Sequence, residues 1–120
     1  MVTPATPAAQ RRVIDARTRG FLYVMSVMAT TGTTAEQQDA NRWAVAAEAR
    51  AAQSREDGGG RPVLIGFGIS TPARAAAAVR HADGVIVASA LMRRVLDGAD
   101  VAQVGQTVSE LRAAVDGARP

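Results

Sequence analysis

The chain has 120 residues, 48% of them hydrophobic, so it is long enough to form one domain with a buried core. It contains no cysteine and no lysine, which excludes disulfides, thiolate metal sites, cysteine nucleophiles and Schiff-base lysines. The net charge of +3 comes from arginines spread along the chain, and one Trp, one Tyr and two Phe are too few for a stacking surface, so we expect no nucleic-acid partner.

The first third of the chain predicts a leader, a helix and a strand. Residues 1–9 are rich in proline, threonine and alanine, which is typical of a flexible leader before a folded unit over residues 10–118. Residues 10–19 have a short helical pattern with Val13 and Ala16 on one face. Residues 21–26 form a nearly continuous apolar run, which indicates a strand buried on both faces of a parallel sheet.

Helices and strands alternate along the remaining chain. The predicted elements are a helix over residues 35–53, a strand over 63–67, a helix over 72–80, a strand over 85–87, a short helix over 89–96 and a long helix over 101–115. Thr71 and Pro72 are a favourable N-cap and first helical residue. This order predicts an α/β fold of consecutive βαβ units, with three parallel strands and flanking helices.

The predicted sheet is small for its architecture. A complete (β/α)₈ barrel needs roughly 200 residues, so this chain has room for only some of the units. Three strands also leave two unpaired edges, and we expect another copy or a complementing chain to cover them.

Small residues follow the carboxyl ends of all three predicted strands. Thr31 and Gly32 follow the first strand, Gly68 the second, and Ala88 and Ser89 the third. Ligands of βα units bind at these ends, where backbone N–H groups are accessible and the dipole of a following helix favours an anion. Each glycine alone is typical of a turn or of close packing. Their coincidence at three strand ends favours a phosphate site.

Four segments together resemble the C-terminal part of the tryptophan synthase alpha chain: GFLYVMS at residues 20–26, TG at 31–32, GFGISTP at 66–72 and DGVIVASA at 83–90. The resemblance covers about residues 10–118 and implies a partial TIM barrel containing the last three βα units. The family cleaves indole-3-glycerol phosphate to indole and glyceraldehyde 3-phosphate. It then delivers indole to a beta chain that uses pyridoxal phosphate.

The resemblance also implies which residues bind the phosphate. Gly32, Gly68 and Ser89 fall at the phosphate positions of the family. Ala88 stands where the family usually has glycine, so its methyl group crowds the approach of phosphate to the backbone.

The remaining substrate positions are implied in the same way. Tyr23 and Phe67 match residues that line the indole pocket, and Thr31 matches a loop residue that closes over the substrate. Residues 27–29 lack the arginine and glycine common in that loop, which puts normal loop closure in doubt.

The acidic residues do not supply a catalytic pair. By resemblance, cleavage requires two carboxyl groups at the barrel mouth, and these lie on earlier strands of the family. None of the 11 acidic residues follows a predicted strand at its carboxyl end. We therefore assign no catalytic residue and no metal site, and we expect the chain alone to be inactive.

Two functional interpretations remain open. The first is an alpha-chain-like lyase, truncated or split, that supplies the phosphate site in tryptophan biosynthesis. The second is a non-catalytic module that binds phosphate or a partner. The first implies no cofactor in this chain, a beta chain as partner and pyridoxal phosphate only in that partner. No apolar run approaches the roughly 20 residues of a membrane span, so we expect a cytoplasmic protein.

Overall fold

The structure is a computed structural model, and it describes residues 1–3, 5–25, 46, 60–66 and 68–119. Its helices and strands in chain order are α1 (Ala8–Arg17), β1 (Leu22–Met25), β2 (Val63–Gly66), α2 (Pro72–Ala78), β3 (Gly84–Ile86), α3 (Ser89–Leu96) and α4 (Val101–Ala118). Each corresponds in type and order to a predicted element. Of the predicted helix over residues 35–53, only Ala46 lies among the described residues, and it is helical and buried.

The three strands form one parallel sheet in the order β1, β2, β3. Val24 pairs with Ile65, and Ile65 pairs with Val85. The predicted α/β class with three parallel strands is therefore confirmed. Because the strands are parallel, their carboxyl ends share one edge of the sheet, which we call the carboxyl rim.

The two faces of the sheet are buried to different extents. Leu22, Val24, Val63 and Ile65 are almost fully buried and form the core with residues of the packed helices, including Ala75, Ala78, Leu111 and Val115. Side chains alternate along a strand, so the intervening residues face the other way. On that face Tyr23, Met25 and Leu64 are only half-buried.

At Val2 the structure differs from the flexible leader that composition predicts. The side chain is 1% exposed, and residue 2 forms a parallel bridge with Val24. The Val2 amide donates to the Tyr23 carbonyl at 2.8 Å, and the Val2 carbonyl accepts from the Met25 amide at 2.9 Å. Burial of valine together with two backbone hydrogen bonds outweighs the loop tendency of the prolines and threonines around it.

Helix α1 packs on the core with a different face from the predicted one. Val13 is 51% exposed and Ala16 is exposed, whereas Ile14 packs against the core. The prediction for the Val13 face is wrong because the adjacent Ile14, about 100° further around the helix, carries the larger apolar side chain.

Local signals set the beginnings of the later helices. The Thr71 hydroxyl accepts from the Arg74 amide at 3.3 Å, and Pro72 is the first helical residue, as predicted. Helix α4 begins with a capping box in which Asp100 and Gln103 each accept from the other's backbone amide, at 2.8 and 2.9 Å. These bonds satisfy amides that a helix N-terminus otherwise leaves unpaired.

Asp83 connects the amino ends of β2 and β3. Its carboxylate accepts from the Val63 amide at 2.8 Å, and its own amide donates to the Val63 carbonyl at 2.8 Å. The Arg119 guanidinium donates to the Asp83 carbonyl at 2.7 Å, which ties the residue after α4 to the same place. This end of the sheet is opposite the carboxyl rim. Residues at the amino ends of barrel strands are expected to have structural rather than catalytic roles.

Candidate functional site

Two predicted phosphate residues follow neighbouring strands at the carboxyl rim. Strands β2 and β3 end at Gly66 and Ile86, which pair with each other in the sheet. Gly68 comes two residues after the end of β2, and Ser89 comes three residues after the end of β3. Both residues are exposed, and in Gly68 the exposed atoms are those of the backbone.

Gly68 has a backbone conformation that favours glycine. Its φ is +73°, in the left-handed region where a β-carbon is unfavourable by about 1–2 kcal/mol. The turn after β2 therefore depends on glycine for its shape as well as for the accessibility of its backbone.

The N-terminus of α3 provides hydrogen-bond donors at the same rim. No side chain caps it, and its first turn contains no acidic residue. The Met92 amide bonds to the Ala88 carbonyl at 3.0 Å, so the preceding amides of the first turn, from Ser89 to Leu91, have no partner within the helix. The helix dipole adds a partial positive charge at this end. This arrangement suits a phosphate or carboxylate group.

Ala88 precedes the helix and is exposed at the rim. Its φ of −127° is negative, so the position does not need the left-handed conformation that favours glycine. An effect of this residue on ligand binding would therefore come from the space that the methyl group fills.

Tyr23 lies on β1 and packs across β2. A β-carbon built at Gly66 would overlap the Tyr23 ring at Oη, Cε2 and Cζ. Close packing, one of the ordinary roles of glycine, therefore accounts for Gly66. The sequence does not show which side chain packs on Gly66, and the available signal is a glycine at the end of a strand beside a strand that carries an aromatic residue.

The structure thus brings Gly68, Ala88 and Ser89 to the rim, with Tyr23 on the adjacent strand. Thr31, Gly32 and Phe67 lie outside the described residues. The assignment of these seven residues to a phosphate and indole site stays a prediction.

None of the described acidic residues directly follows a strand at its carboxyl end. Asp83 is at the amino ends of the strands, and the others are on α1, in the turn after α3 or on α4. Between residues 1 and 119, the described part of the chain contains no group of three or more His, Cys, Asp or Glu side chains that could hold a metal ion. None of its helices is long and apolar enough to span a membrane.

The comparison with known proteins identifies the family. The model of the family "Tryptophan synthase alpha chain" matches residues 1–118. The chain belongs to this family. The match begins at residue 1 and so includes the buried Val2.

Relatives and solved structures agree with this assignment. The chain is 42% identical over 121 aligned positions to the tryptophan synthase alpha chain of Novosphingobium aromaticivorans, covering 99% of this chain and 43% of the relative. It is 39% identical over 101 residues to that of Phenylobacterium zucineum, covering 84% of this chain and 34% of the relative. The crystal structure of the Legionella pneumophila alpha chain aligns with a TM-score of 0.67 and 30% identity, covering 97% of this chain and 41% of that chain.

The chain therefore spans between 34% and 43% of the length of these family members. The solved alpha chains are TIM barrels, and the three parallel strands described here form part of such a barrel. Both the resemblance seen in the sequence and the partial-barrel fold are confirmed.

Proposed function

We propose that the carboxyl rim of this chain binds the phosphate group of indole-3-glycerol phosphate in tryptophan biosynthesis. The observation that carries the proposal is the uncapped N-terminus of α3 beside the left-handed turn at Gly68, at the ends of two paired strands. Donor amides and a favourable dipole in one place suit a small phosphate ester. Family membership supports this choice of substrate.

Each rim residue has a distinct role in the proposal. Gly68 and the amides of the first turn of α3 donate hydrogen bonds to the phosphate oxygens, and the Ser89 hydroxyl adds a further donor. Ala88 limits how closely the phosphate approaches. By resemblance to the family, Gly32 would contribute a further contact to the phosphate.

The indole end of the substrate would lie on the half-buried face of the sheet. By resemblance to the family, Tyr23 and Phe67 would form part of its wall, and Thr31 would close over it. Contacts of the Tyr23 ring with Gly66 hold that side chain in place.

We propose that this chain does not carry out the cleavage alone. The reaction needs carboxyl groups that protonate and deprotonate the substrate, and no described acidic residue directly follows a strand at its carboxyl end. Those groups would come from other βα units of the barrel. The complete assembly would act as a lyase in the cytoplasm and pair with a beta chain, which carries the pyridoxal phosphate.

A second candidate is a phosphate-binding or partner-binding module without catalysis. The same distribution of acidic residues favours it, because amide donors for a phosphate follow the end of β3 whereas no described acidic residue directly follows a strand end. The two candidates differ in whether added barrel units restore indole release.

Calorimetry with glycerol 3-phosphate tests the proposed rim. Gly68→Val puts a branched side chain at the rim, and we expect it to weaken binding about tenfold or more, as the loss of one charge-assisted hydrogen bond does. Gly98→Val is the matched control, because Gly98 also has a left-handed φ of +88° but lies after α3, at its other end. Unchanged affinity in Gly68→Val, or equal loss in both variants, would contradict the proposal.

A further inference from the structure

We draw no further inference here: the strongest candidate, the exposed apolar face of α3 and α4 with the groove that Val87, Leu91 and Val108 line beside β3, is accounted for by the barrel units of the family that this sequence does not include, and nothing in the described residues shows any other partner covering it.

Discussion

The Tyr23 ring lies against Gly66 so closely that no other residue fits at position 66 without a shift of the ring. Both residues are on the same face of the sheet, because Tyr23 pairs with Leu64 and side chains alternate along β2. The contact spans two neighbouring strands and ends at the last residue of β2, directly before the turn that contains Gly68.

The first prediction concerns this contact. Gly66→Ala should lower the free energy of unfolding by about 1–3 kcal/mol, because the new methyl group overlaps the Tyr23 ring. In a double-mutant cycle with Tyr23→Ala, the double variant should lose less stability than the sum of the single variants. Denaturant unfolding measures both.

Gly105→Ala is the control for this cycle. Gly105 is inside α4 with open space around it, so alanine should raise stability by about 0.5–1 kcal/mol through its better helix propensity. If Gly66→Ala stabilises the chain as Gly105→Ala does, the Tyr23 ring does not prevent a side chain at position 66.

The second prediction concerns Ala88. Replacing it with glycine removes the methyl group at the entrance to α3 and should tighten the binding of glycerol 3-phosphate several-fold, since ligand oxygens can then approach the amides more closely. Ala113→Gly is a control at an exposed position of α4. Equal affinities of wild type and Ala88→Gly would show that the methyl group does not limit binding.

The third prediction concerns the amino ends of the strands. Asp83→Ala should destabilise the fold by about 1–3 kcal/mol, because the Val63 amide loses its acceptor in a partly buried position. Asp97→Ala, at an exposed turn, should stay within about 0.5 kcal/mol of wild type. Thermal unfolding compares the two variants, and equal unfolding temperatures would contradict a structural role of the Asp83 carboxylate.

The fourth prediction concerns catalysis. The isolated chain should release no indole from indole-3-glycerol phosphate, with or without a beta chain, because no described acidic residue directly follows a strand at its carboxyl end, where proton transfer to the substrate would occur. Release should appear only when family units that carry those groups are added. Turnover by the isolated chain that survives stringent purification would refute this.

The parts of the fold that the sequence could predict are those set by local signals. The strands at 63–66 and 84–86 follow from short apolar runs, and the helix after Thr71 follows from its cap and from Pro72. Val2 could not be predicted in this way, because its burial depends on pairing with Val24, a strand residue distant in the sequence.

The same limit applies to the site. The small residues after the strands could be found because chain order alone places them at the carboxyl rim. The contact between Tyr23 and Gly66 depends on the register of β1 and β2, which composition does not specify. The prediction of which face of α1 packs on the core was wrong for a related reason. Val13 and Ile14 are neighbours in the sequence, and only tertiary packing decides which of them contacts the core.

The most direct test of phosphate binding at the rim is an NMR titration of the ¹⁵N-labelled chain with glycerol 3-phosphate. The amide signals of Gly68, Ser89, Ala90 and Leu91 should move together and saturate with a single dissociation constant, while signals around Asp83 stay in place. Saturable shifts confined to other residues, or no shifts at these four amides at saturating ligand, would contradict the account.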